Sequence, residues 1–489
     1  MTWDDVVATA LVGTDRRPGE DATALLDVAA VFAVARRAGA PPVPDLPSPP
    51  GVPADPVPPA GPAAAERLSL LLDNGLTFDP GTRAELVGEW LASAVERGIR
   101  VPGEQLPVLF EAARRERELR DLVLAAGGAR AGWLAAQRAD WRFLTGRPAD
   151  AASPDAWELG GIGQRVRYLV AARQADPAAA RDLLVIGWAD EIPEDRAALL
   201  RALRPGLSTA DEEFLEACLD DRRKEVRDVA LDLLAVLPGS AYLARMTERA
   251  ERCLWRPGQH RVLAVAPPEE CDRAMRRDGI APKAPAGVGE KAWWLEEILA
   301  RTPLSTWGDD PAGFLALPVA DGWGDVVLRG LARAAATQDD PAWAGPLIDA
   351  LWAAHGPQGR PDDMLLIESL YAALPVDEVV DRAVQALRPG GQLPGVDHLL
   401  ELTPRPWPPR LADAVFAALD QLVSRPVPSW RTAELCQLAA VRLPVDAAPR
   451  ADAFAAAHAG LAPNHPVRRA ADTLAGTLRF RHDMLEELT

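Results

Sequence analysis

A chain of 489 residues is too long for one compact core and suits several domains or an extended array. With 71 acidic and 53 basic residues its net charge is −18 and its pI about 4.9, so its surface on average repels phosphate backbones and disfavours general nucleic-acid binding. The N-terminal MTWDDVVATALVGTDRRP has acids where a secretory leader needs bases, and no apolar run approaches the ~18 residues of a membrane span, which points to a cytoplasmic protein.

Ala and Leu dominate the composition, and both lose little side-chain freedom in a helix. In chain order the pattern predicts a helix over Trp3–Val12, with Thr2 as N-cap and Gly13 as stop. GTDRRP, Gly13 to Pro18, follows. Thr14, Asp15, Arg16 and Arg17 read first as a turn with Asp and Arg paired locally, and second as an anion or partner contact. A helix opened by Asp21 runs over 22–37. Residues 40–62 carry 11 prolines in 23 positions. Proline removes backbone donors and fixes φ, so this segment reads as an extended spacer between a helical segment at 1–39 and the rest.

Helical periodicity resumes at 63, breaks at the double glycine 127–128, and lapses into loop from Trp141 to Gly163. The most regular region comes next. Asp176 caps a helix starting at Pro177, and Pro193 opens another with Glu194 and Asp195 facing its dipole. Thr209 and Glu212 have the spacing of a capping box. The helix over 222–237 then places Val226, Val229, Ala230, Leu233, Leu234 and Leu237 on one face. Helix-pair starts at Pro177, Thr209 and Ser240 recur every ~32 residues, within the range of helical repeats. Short connections make neighbours antiparallel. A repeat array at 63–252 thus gives way to an irregular or strand-like excursion near 253–290, within an irregular connector at 253–321 that also carries a helix over EKAWWLEEILARTPLSTW. Helices return in a second array at 322–489 and end with one over 466–487.

Few residues carry chemistry by motif. The six histidines form no H-E-x-x-H and no i, i+4 pair, there is no Walker loop, G-x-S-x-G or G-x-G-x-x-G, and no two of the four cysteines are spaced C-x-x-C. No catalytic, cofactor or metal residue is assigned. Arg223 and Lys224 open a basic cluster that its neighbouring acids balance, and Arg227 is placed to bridge adjacent repeats. Trp293 and Trp294 are adjacent, so one helix stripe does not hide both. Burial between layers and a Trp-lined groove are the two readings.

The stretch Phe214 to Leu237 resembles a HEAT-like repeat. ALVGTDRRP, DEEFLEACLDDRRKEVRDVALDLLAVLPGS and GEKAWWLEEILARTPLSTW, in this order, resemble a family of bacterial proteins known only as a domain of unknown function. Its members are encoded near SWIM-type zinc-finger proteins, MoxR-like ATPases and von Willebrand factor A-type proteins. The resemblance implies a subunit or adaptor in an ATPase-linked system, with such an ATPase or von Willebrand factor A-type protein as partner. The fold expected is an all-α, HEAT-like solenoid of antiparallel helix pairs, serving as a non-enzymatic scaffold for protein partners. Two other functions fit the same pattern. One is an enzyme with a site assembled from scattered acidic, Arg and His residues; the other is a HEAT-like nucleic-acid binder with a local basic groove.

Overall fold

The computed structural model describes residues 2–13, 21–39, 51–52, 54–73, 78–145, 154–258, 262–356, 360–389, 396–423 and 430–489. The chain forms two compact units, Met1–Ala54 and Asp55–Thr489. The expected turn residues Thr14, Asp15, Arg16 and Arg17 lie outside the described residues, as do 40–50 and 53 of the proline-rich segment.

The first unit holds helices Trp3–Val12 and Ala22–Arg37. Thr2 caps the first through a reciprocal bond with Asp5, and Gly13, at φ 87°, ends it with its N–H on the Thr9 carbonyl. Trp3 meets Phe32 edge-on at 5.8 Å.

The second unit is all-α apart from one two-stranded ribbon among the described residues. Its helices start where local chemistry tells them to. Asp176 accepts bonds from the N–H groups of Ala178 and Ala179, both at 3.0 Å, and Ser240 from that of Leu243 at 3.2 Å. The 222–237 pattern yields a helix over Lys224–Ala235, with Val226, Val229, Ala230, Leu233 and Leu234 buried. The capping box is one residue earlier than its spacing suggested. Ser208 is the N-cap and donates its N–H to Asp211 at 2.9 Å. Thr209–Asp211 form a 3₁₀ turn before helix Glu212–Cys218. Between Trp141 and Gly163, expected as loop, the described residues include short helices Arg142–Thr145 and Pro154–Glu158.

Two apolar clusters form the core. One runs from Leu169 to Leu478, through the excursion as well as the regular helices. The other gathers Ala64 to Leu144 and takes in Met484 and Leu488 from the far end of the chain. Helix Pro466–Glu487 therefore serves both, with Leu474 and Leu478 in the first and Met484 in the second. Each fully buried Leu contributes roughly 1.5–3 kcal/mol relative to exposure. Charge closes the same seam. The Arg481 guanidinium bonds Glu89 through Nε and Nη2, both at 2.7 Å, and Arg67 Nε donates to Glu487 at 2.6 Å. Phe78 packs edge-on against Phe480 at 5.3 Å.

Arginine has a second structural use. The last carbonyls of a helix have no partner within it, and here arginine side chains from elsewhere supply one. Arg481 Nη1 donates to the carbonyls of Ala440 and Leu443 at 3.0 and 2.8 Å, and Arg442 Nη1 to that of Glu401 at 2.8 Å. Arg277 reaches the Glu216 carbonyl at 2.9 Å in the same way. Arg173 makes a larger set of backbone bonds, to the carbonyl of Pro177 at the start of a helix and to those of Leu203, Pro205 and Gly206 in the turn after another, as well as to Asp211. A guanidinium presents five donors in a rigid fork, which a lysine ammonium does not. The chain has three lysines among its 53 basic residues, a ratio that suits this use.

The double glycine is a kink. Gly128 sits at φ 58°, ψ −151° inside helix Leu119–Ala136, a conformation that favours glycine. A Cβ there would lie 2.2 Å from Asp55 Oδ2. That carboxylate accepts the Ala129 N–H at 3.0 Å and so caps the second half of the helix. Asp55 belongs to the proline-rich segment, whose last residues are pinned. Arg100 N donates to the Pro58 carbonyl, and Ala60 N to that of Arg100, both at 2.8 Å.

The excursion contains strands Leu254–Trp255 and Ala264–Val265, paired antiparallel. Leu263 bridges onward, donating its N–H to the Pro318 carbonyl at 2.9 Å and accepting from Ala320 N–H at 3.0 Å. These bonds hold the strand ribbon against the segment before helix Gly324–Gln338.

Replacing Glu89 by Ala strands the Arg481 charge, whose side chain is 4% exposed. Breaking one side of such a pair costs about 3–5 kcal/mol. Urea unfolding of Glu89→Ala is expected to show a loss of that order, and a loss below ~1 kcal/mol would contradict the assignment.

Candidate functional site

Three arginines in the second unit share one arrangement. Arg165 lies over the Trp157 ring at 4.5 Å and bonds Glu191 at 2.8 Å. Arg196 lies 5.3 Å from the Trp188 ring and bonds Asp221 at 3.0 Å. Arg333 lies 5.6 Å from the Trp293 ring and bonds Glu296 and Glu297 at 3.1 and 2.7 Å. In each case a guanidinium is held by the negative face of an indole and by a carboxylate together.

The excursion builds a hollow from the same residue types. Its volume is about 690 Å³, within the size range of ligand pockets. One side comes from the end of helix Ala241–Cys253 and the ribbon, with Glu251, Leu254 and Trp255. The other comes from Thr306 to Leu317, with Trp307, Asp309 and Phe314. Trp255 is 42% exposed. Trp307 stacks at a tilt on Phe314 at 5.6 Å, and Phe314 meets buried Trp343 at 5.8 Å. The aromatic wall is thereby anchored in the core. The Trp307 indole N–H is buried and has no acceptor among the described residues, a situation that costs roughly 1–3 kcal/mol.

Glu216, Asp220, Asp221, Asp278, Glu296 and Glu297 all pair with arginine. The bond from Arg277 holds the Asp220 carboxyl below its usual range. Among the described residues Glu251, Asp309 and Asp310 make no ion pair, and Asp310 accepts the Gly313 N–H at 2.9 Å as a helix cap. The hollow also contains Arg256, which has an interaction of its own.

The residues singled out from sequence lie elsewhere. Arg223 pairs with Glu194 on the surface, and Lys224 pairs with Asp228 at 2.9 Å within its own helix. Arg227 does not bridge repeats. Its Nη1 donates to the carbonyls of Asp221 and Arg222 at 2.8 and 3.1 Å, closing its own turn, and Arg196 and Arg277 make the links between neighbours. Trp294 is buried, with its N–H on the Pro282 carbonyl at 3.2 Å, while Trp293 is half-buried beneath Arg333. Sequence reading missed Trp255, Trp307 and Asp309. The signal was there in TWGDDPAGF, an aromatic followed by two acids, but Thr306 and Trp307 read as the end of a helical stretch and GDDPAGF as loop.

All four cysteines are free, and Cys218, Cys253 and Cys436 are buried. Burial pushes the thiols of Cys218 and Cys436 up to about 12 and that of Cys253 to about 11. Since the thiolate is the nucleophile, these three stay inert near neutral pH. Cys271, half-buried, is expected to react first with iodoacetamide at pH 8. The other three follow only on unfolding, and mass mapping that finds Cys218 or Cys436 modified in the folded chain would overturn this order.

No group of His, Cys, Asp and Glu suited to a metal ion, and no helix long and apolar enough to cross a membrane, occurs among the described residues. No curated protein and no solved structure matches the chain. Residues 5–488 match the family described as Family of unknown function (DUF5691), and the chain belongs to that family.

Proposed function

We propose that the chain is a non-enzymatic adaptor. A HEAT-like array of stacked helix pairs presents the hollow between 251 and 317 to a protein partner within an ATPase-linked complex. The observation that carries this reading is the open, aromatic-walled hollow, whose exposed carboxylates Glu251 and Asp309 make no ion pair among the described residues. Exposed aromatics beside uncompensated charge are typical anchors of protein interfaces. The surrounding frame is pinned by arginine, so the surface is preorganised and loses little freedom on binding. The chain's acidity favours a basic partner and speeds encounter with it.

The test is gentle cross-linking in the native cell, with tagged parent compared against the double variant Glu251→Arg, Asp309→Arg. Both positions are exposed, so the variant should melt like the parent. Recovery of the partner is expected to fall at least ~10-fold, the effect of about 1.4 kcal/mol. A partner recovered equally by both proteins would place the interface elsewhere and contradict the proposal.

A further inference from the structure

We infer that the helical hairpin of the first unit is half of a four-helix bundle, completed by the hairpin of a second copy of this chain. The inference goes beyond the adaptor reading and does not use the hollow. The hairpin is too small to bury a core of its own. Its helices have 10 and 16 residues, lengths at which a helix in water is marginal without tertiary packing. The first buries Val6 and Thr9. In the second, Leu25, Val28, Ala29 and Phe32 are half-buried and form its inner face. Yet the outer surface is apolar too. Between Asp21 and Arg36 the second helix holds one charged residue, Asp27, and a helix that is apolar nearly all round belongs in an interior. Leu11 is 82% exposed and Leu26 70%.

The exposed apolar residues gather on one side. Trp3 lies against Phe32, which sets the start of the first helix beside the end of the second, so the two run antiparallel. At about 100° per residue, Trp3, Val7 and Leu11 form a stripe roughly two-fifths of a turn from Val6 and Thr9. Leu26, Ala30 and Val34 stand at nearly the same offset, in the same sense, from the inner face of the second helix. Antiparallel helices turn equal offsets to one side, and all six residues are exposed there. Val12 and Val31 fall on the other side. With Ala10 and Ala33, which are exposed beside them, these side chains offer on the order of 600 Å² per copy, or about 1,200 Å² for a pair, which reaches the size of a specific interface. Asp4 and Asp27 stand at the rim. A chain of net charge −18 repels a second copy over most of its surface, and an apolar side is where two copies meet without that cost. A two-fold contact requires a patch that matches itself, which an apolar one does. Two antiparallel hairpins are the parts of a four-helix bundle.

The test is sedimentation velocity of the full chain. The parent is expected to be a dimer at ~50 µM that dissociates on dilution, the strength a small interface allows. Leu11→Asp and Leu26→Asp are each expected to weaken association at least ~10-fold, because each would bury a carboxylate without a partner. Val31→Asp changes an exposed residue on the other side of the same helix. It is expected to leave association unchanged, and it controls for loss of the helix itself. Rising salt relieves repulsion between the acidic copies and is expected to tighten the dimer; dissociation by salt would contradict an apolar contact. A parent that is monomeric at ~50 µM would overturn the inference, and if that monomer floats with phosphatidylcholine vesicles the occupant is a lipid surface instead. A dimer untouched by both Leu11→Asp and Leu26→Asp would place the contact elsewhere on the chain. A loss in Val31→Asp as large as theirs would show that this side is not the one used. Either result overturns the assignment.

Discussion

The buried pair of Arg173 and Asp211 is the constraint on which the helices from 162 to 219 depend. Both side chains are essentially out of solvent, at 0% and 1% exposure. A charge placed there is tolerated only when its donors are met. Arg173 meets them with two bonds to the carboxylate at 3.0 Å and with carbonyls from Pro177, Leu203, Pro205 and Gly206. One side chain of helix Ile162–Ala175 thus fixes the start of the next helix, the end of the third and the cap of the fourth. The backbone bends to serve it. Gly206 sits at φ 64°, and a Cβ there would come within 2.8 Å of the Pro177 ring, so this turn wants glycine.

The same side-chain chemistry recurs with different partners through the second unit. Turned toward backbone, arginine completes helix ends, as Arg442 and Arg481 do. Turned toward an indole and an acid, it fastens one helix to the next, as Arg165, Arg196 and Arg333 do. Dispersion and burial supply the bulk of the cohesion along the cluster from Leu169 to Leu478. The directional bonds choose which helix end meets which side chain. Against that background the excursion stands out for its open, aromatic-walled hollow between 251 and 317, and this is what makes it the candidate contact surface.

Helix ends were legible in the sequence because their determinants are local. Thr2, Asp21, Asp176, Ser240 and Pro466 each act within three residues of the feature they set. The stripe of Lys224–Ala235 was legible for the same reason, as was the break at Gly128. What was hidden depended on distance along the chain. Asp211 is drawn to Arg173, 38 residues away, so the box began at Ser208 rather than Thr209. The pairing of Glu89 with Arg481 spans 392 residues, and nothing in either neighbourhood announces it. Arg227 was read by its position in a repeat, yet the carbonyls of its own turn were nearer than any neighbouring helix. The hollow was missed because its two sides, 251–263 and 306–317, are far apart in sequence and nothing in either announces the other. A surplus of arginine over lysine was visible at once, but its use emerged only with the carbonyls in place.

The most direct measurement is amide hydrogen exchange, read by mass spectrometry, on the full chain and on Arg173→Lys. Lysine keeps the charge opposite Asp211 but loses the fork. The account predicts that amides from 193 to 219 lose at least ~10-fold in protection, while those in 80–136 and 430–487, which Arg173 does not bond, change little. Protection unchanged around 193–219 would show that the ion pair alone suffices and that the carbonyl bonds do not order these helices. Equal loss along the whole chain would show that Arg173 does not act on the helices it bonds in particular.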